Sequence, residues 1–114
     1  MITVKEIAEA TAEVMNISVN DIYSSRRSKD ICLARWIVFF IAREFTQATS
    51  TTIGIATNKD HTSVLYGIAK VQEGVNSQEP TILALLDAVI KYVTPDGTEK
   101  MQEVINRIQR RATQ

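Results

Sequence analysis

The sequence predicts an all-α fold of about six to seven helices. Three observations predict it. Gly and Pro are scarce, four and two in 114 residues, so few positions break a helix. Apolar residues recur at i, i+3, i+4 and i+7 in one stretch after another, and no stretch alternates with the period of two that a strand needs. The polar interruptions are short and carry the helix-capping types Ser, Thr, Asn and Asp.

Each element has its own reason. Thr3 and Glu6 form a capping box, in which the Thr3 hydroxyl accepts from the Glu6 amide and Glu6 reaches back. Ile7, Ala10, Val14 and Met15 then stripe a helix that ends near Asn16. Ser18 caps a short second helix holding Val19 and Ile22, and the polar "YSSRRSKD" reads as a loop. From about Lys29 to Phe45 a third helix carries Ile31, Ala34, Ile37, Val38, Ile41 and Phe45. Phe39 and Phe40 make its middle apolar nearly all round, which marks it as the central core helix. A short helix over 50–56 is anchored by Ile53 and Ile55. Asp60 caps a helix from His61 to about Glu73, with Val64, Leu65, Ile68 and Val71 as its apolar stripe. Thr81 to Val93 makes a strongly apolar helix. Thr94-Pro95 gives a cap followed by Pro at the first helical position, and Met101, Val104, Ile105 and Ile108 stripe a last helix ending in "RIQRR".

Composition bounds the function. An apolar content of 45% suits a soluble globular protein with one core, so residues 1–94 are expected to form the domain and 95–114 a helical extension of it. The single cysteine, Cys32, excludes an internal disulfide and a Cys-based zinc site, and its apolar neighbours suggest a small buried side chain. Lys5, Glu6 and Glu9 interrupt any secretory signal, and "WIVFFIA" is too short to span a bilayer. The expected location is cytoplasmic, with no membrane contact. Net charge is zero, but it is unevenly spread. Residues 1–23 hold one base and four acids, residues 24–70 seven bases and three acids, and residues 71–114 five bases and six acids. The local balances are −3, +4 and −1, and a phosphate backbone feels the basic centre rather than the average.

The stretch "NKDHTSVLYGIAK" carries the chemistry. Asp60, His61 and Ser63 share residue types with a hydrolase triad, but neighbours at a helix start diverge, whereas a triad needs each group bonded to the next. One histidine beside one aspartate is likewise too few converging ligands for a metal. No enzyme activity, metal or cofactor is therefore expected. Capping explains Asp60 but leaves His61 and Thr62 without a role. By spacing, the helix over 50–56, the turn at 57–59 and the helix from His61 form a helix-turn-helix, a unit whose second helix enters the DNA major groove N-terminus first. Asp accepts from cytosine, His donates to guanine, and Thr or Ser meets several base edges. Ser63, Tyr66, Gly67 and Lys70 then fall on a face separate from the apolar stripe. Gly67 suggests close approach either to DNA or to another helix.

"RRSKDICLARWIVFFIAREFT", followed by "IG" and "KDHTSVLYGIAKV", resembles the C-terminal DNA-binding domain of DnaA, the bacterial chromosomal replication initiator. That family has a basic loop with two arginines, an Arg opening the long helix, and a signature of the form Arg/Lys-Asp-His-Thr-Thr/Ser-Val-Leu. Order and spacing agree over roughly residues 3–93. The resemblance implies a Trp-repressor-like helix-turn-helix fold and sequence-specific binding of double-stranded DNA, in replication initiation or its regulation, including in a phage or mobile element. It implies that Asp60, His61 and Thr62 read base edges in the major groove, that Arg35 reaches the minor groove, and that Arg26, Arg27 and Lys59 touch phosphate. Helix geometry adds Ser63 and Lys70 to the phosphate contacts.

The sequence also departs from the family. The turn before Asp60 is Thr57-Asn58 where the family carries Gly-Gly and one residue more. Leu33 stands two positions before Arg35 where a base is common, Trp36 replaces a Gln, and Asp30 adds an acid at the helix start. No Gly-x-x-x-x-Gly-Lys-Ser/Thr occurs, so no nucleotide partner is expected, and the chain reads as an excised domain or a free-standing small protein. These departures motivate the alternative of a protein-interaction module that keeps the fold without specific DNA binding. Residues 95–114 are expected to finish the core. The competing role is a homodimer or partner-protein contact through the C-terminal helices.

Overall fold

The computed structural model describes residues 2–94 and 101–112. The described residues form α1 (Val4–Met15), α2 (Val19–Tyr23), α3 (Lys29–Phe45), α4 (Ser50–Thr57), α5 (His61–Asn76), α6 (Pro80–Val93) and α7 (Met101–Ala112). Among them no strand is present and no helix is long and apolar enough to cross a membrane. The all-α expectation holds.

Local capping sets the boundaries. Thr3, Ser18, Ser28, Thr49, Asp60 and Glu79 each turn a side-chain oxygen onto an amide of the following first turn, satisfying a donor the helix leaves open. The Thr3–Glu6 box is half made. Thr3 accepts from the Glu6 amide at 3.1 Å, but the Glu6 carboxylate accepts from the Thr3 hydroxyl rather than from its amide. α5 runs on to Asn76, and α6 starts at Pro80, one residue earlier than the spacing suggests, because Glu79 supplies the cap. Thr94 closes α6, with its hydroxyl donating to the Ile90 carbonyl at 2.6 Å. The expected Pro95 helix start lies outside the described residues.

α3 is the centre. Residues 37–42 are all buried, and α1, α2, α4, α5 and α6 pack around the helix. Its closest neighbour is α5, and Gly67 permits the approach: a Cβ there would lie 2.6 Å from Trp36 Cδ1 and 2.8 Å from Phe39 Cδ2. The glycine serves helix packing, so it leaves the polar face on which spacing had placed it. Two apolar expectations are corrected. Ile55 is 79% exposed and Leu65 is 44% exposed. The buried face of α5 is instead Val64, Gly67, Ile68, Val71, Gly74 and Val75. α7 packs against α5 and α6 with Val104 and Ile108 buried, and Arg107 Nε lies 3.6 Å from the Glu44 carboxylate on α3.

Candidate nucleic-acid interface

α4 and α5 form the helix-turn-helix. α4 ends on Asn58, whose φ of 61° places it in the left-handed region that Asn tolerates better than most residues. The Lys59 amide bonds back to the Gly54 carbonyl at 2.8 Å, closing the helix end. The chain then re-enters a helix at once, because Asp60 caps α5 by accepting from the Ser63 amide at 2.8 Å. His61, Thr62 and Ser63 project into solvent at the start of α5. The partial positive charge of a helix N-terminus adds to the polar character of this rim.

The Asp60 carboxyl is held below its ordinary pKa of 3.8, chiefly by the Ser63 backbone hydrogen bond and further by the Ser63 hydroxyl, the Thr62 amide and His61. Folding therefore stabilises the ionised form. That contribution is present above the ordinary value and is lost as pH falls through the lower folded one. Asn caps a helix about as well as Asp but carries no charge. The stability gap between the parent and Asp60→Asn should be constant above roughly pH 5 and shrink in acid. Urea unfolding across pH checks this, and a gap unchanged into acid would show that the charge contributes nothing.

The basic loop sits beside the rim. Arg26 and Arg27 are exposed, and Arg26 pairs with Asp21 at 3.2 Å. Between the loop, α3 and the start of α5 lies an open groove of about 760 Å³, whose walls include Arg27, Arg35, Trp36, Lys59, Thr62 and Tyr66. Trp36 is half-buried and meets the Tyr66 ring edge-on, with centroids 5.8 Å apart. Lys70 Nζ lies over the Tyr66 ring, 5.4 Å from its centroid. The tryptophan is therefore engaged by α5. Cys32 also lines the groove, half-buried where a buried side chain was expected.

Two residues expected to touch DNA are placed differently. Arg35 is 6% exposed. Its Nε donates to the Ile22 carbonyl at 2.8 Å, and its Nη2 donates to Asp21 at 3.0 Å and Ser24 at 2.6 Å. Burial holds its pKa below the ordinary value and Arg27 adds to this, while Cys32 and Asp21 oppose it. A guanidinium so enclosed reaches no base edge in this conformation. Lys59 Nζ likewise lies on carbonyls, those of Tyr23, Ser24 and Asn58. Burial, and then the nearby Arg35 charge, push its pKa down. The other expected contacts, Arg26, Arg27, Asp60, His61, Thr62, Ser63 and Lys70, have side chains open to solvent in whole or part. Asn58, which donates from its side chain to the Tyr23 carbonyl at 3.3 Å, was not foreseen, nor were Tyr66 and Trp36 as groove walls. Among the described residues no group of three or more His, Cys, Asp or Glu side chains gathers to hold a metal.

The family described as bacterial dnaA protein helix-turn-helix matches residues 4–71, which spans α1 to the middle of α5 and includes the loop, the turn and the rim. The chain belongs to that family. It is 33% identical over 95 residues to the chromosomal replication initiator protein DnaA of Lachnoclostridium phytofermentans, covering 82% of this chain and 21% of that protein. It is 36% identical over 87 residues to the DnaA of Treponema pallidum (75% and 18%), and 37% identical over 73 residues to that of Bordetella pertussis (63% and 16%). The chain thus spans about a fifth of the length of the relatives it matches.

Proposed function

We propose that this DnaA-type helix-turn-helix binds double-stranded DNA sequence-specifically, in replication initiation or its regulation, with the start of α5 in the major groove. Asp60, His61 and Thr62 read base edges, while Arg26, Arg27, Ser63 and Lys70 meet phosphate. The observation that carries this is the exposed rim of α5 standing beside an exposed basic loop across one open groove. Phosphate contacts position a protein on the duplex and base contacts specify the sequence, and here the two kinds of side chain are adjacent. The alternative of a protein-interaction module loses part of the support it drew from Trp36, because that half-buried ring packs on Tyr66 and over Gly67.

Duplex binding measured against ionic strength tests the reading. Arg26, Arg27 and Lys70 on phosphate give a log–log slope of about −3. Folded protein that binds no duplex at low salt would overturn the proposal. Base and phosphate roles separate by substitution. His61→Ala is expected to flatten the preference between sites, at about 1–3 kcal/mol for the base it reads. Arg27→Ala should weaken all sequences alike and reduce the slope by about 1. Selection from random duplexes, repeated on each variant, distinguishes the two patterns.

A further inference from the structure

α2 has only five residues, so the carbonyls at its end have no following turn to bond them. Ser24 answers the Asp21 carbonyl locally, from its amide at 3.3 Å and its hydroxyl at 2.8 Å, and side chains from distant positions add the remaining donors. Arg35, from α3, takes Asp21, Ile22 and Ser24. Lys59, from the turn before α5, takes Tyr23 at 3.3 Å and Ser24 at 2.6 Å, and Asn58 adds a second donor to Tyr23. Both cations meet on one oxygen, the Ser24 carbonyl, at the root of the loop that carries Arg26 and Arg27. An ammonium has three N–H donors. Lys59 spends them on Tyr23, Ser24 and its own neighbour Asn58, which leaves none for a phosphate.

We propose that Lys59 is a positioning residue rather than a phosphate contact: it shares the Ser24 carbonyl with Arg35 and so locks the basic loop to the helix-turn-helix turn. The loop arginines and the reading rim of α5 then meet duplex DNA as one rigid unit. This deepens the DNA-binding reading and rests on it. Two like charges on one oxygen repel, and the arrangement is held because each cation also bonds other carbonyls, Arg35 those of Asp21 and Ile22 and Lys59 that of Tyr23. The short turn favours it, since Asn58 and Lys59 are adjacent and both point back to α2.

A double-substitution cycle on the full chain separates the two roles. Affinity for one duplex is measured across salt concentrations for the parent, Lys59→Met, Arg27→Ala and the pair. A lock makes the Arg27 effect depend on Lys59. A loss of about tenfold for Arg27→Ala in the parent should fall below about threefold in Lys59→Met, and Lys59→Met alone should flatten the salt slope by more than one contact's share. Losses that multiply independently, with the slope reduced by about 1 for each substitution, would overturn the proposal. Amide hydrogen exchange at Ser24 and Arg26, whose amides donate to the Asp21 carbonyl and the Ser24 hydroxyl, gives a second reading without DNA. Lys59→Met should accelerate it about tenfold, and Lys59→Gln, which keeps amide donors, should restore part of the protection. Unchanged exchange would also overturn the lock. If the parent binds no duplex, the DNA reading fails while the exchange result still decides the lock.

Discussion

Arg35→Ala is expected to lower the unfolding free energy by about 3 kcal/mol, and the midpoint temperature by on the order of 10 °C. The side chain holds three carbonyls, and Ile22 O, at 2.8 Å, lies in the buried part of that cage. Hydrogen bonds from a charged donor contribute roughly 1.5–3 kcal/mol each, but water reaches the outer carbonyls once the side chain is gone, so the three do not add. Arg35→Lys should recover less than half of the loss. A single ammonium lacks the planar fork that spans Ile22 and Ser24 together. Denaturant unfolding of both variants measures this. A loss below about 1 kcal/mol for Arg35→Ala would mean that the cage is readily replaced by water. The lysine variant also bears on the expected minor-groove role. Stability kept with DNA affinity lost would point to contact with DNA, whereas both falling together fits the carbonyl cage.

What the sequence made legible was short-range. The caps at Thr3, Ser18 and Asp60 depend on residues two or three positions away, and each forms on an amide of the helix's first turn. α3 was legible because an apolar run wider than one stripe has nowhere to go but the centre. Two misplacements had a signal available. Ile53 and Ile55 are two apart on a helix, so they point about 200° apart and cannot both face the core. Leu65 neighbours Val64, and the run Val64, Ile68, Val71, Val75 already fills one face. Gly67 could not be resolved, since sequence gives the missing side chain but not the partner that needs the room. The hardest residues were Arg35 and Lys59. Their positive charge suggests DNA, the minor groove for Arg35 and phosphate for Lys59, yet they donate to backbone oxygens at the end of α2, 13 and 36 positions away for the first contact of each. No periodicity encodes that distance. It follows only once α2, α3 and the turn are assembled.

The turn itself gives the second large effect. Gly54→Ala should lower stability by about 2 kcal/mol and duplex affinity by at least about tenfold, although alanine is the better helix former by about 1 kcal/mol. A Cβ at position 54 would lie 2.4 Å from the Lys59 carbonyl oxygen, and 3.4 Å is where ordinary contact begins, so that oxygen must retreat by about an ångström. The obstacle is backbone, which has no rotamer to escape into. The Lys59 amide is bonded to the carbonyl of Gly54 itself at 2.8 Å, so the two strands of the turn are held together on one side and would be forced apart on the other. Asp60 follows Lys59 directly. A displaced Lys59 carbonyl therefore tilts the cap, and with it the direction in which α5 presents His61 and Thr62. Thr51→Ala, at an exposed position of the same helix, gives the propensity change without the clash and should be neutral or slightly stabilising. Unfolding and duplex binding of both variants decide the matter. A Gly54→Ala protein as stable as Thr51→Ala, with parental affinity, would mean that the turn relaxes freely and does not aim the helix. The predicted result would make Gly54 the residue that lets a turn shorter than the usual family form still deliver α5 in one orientation.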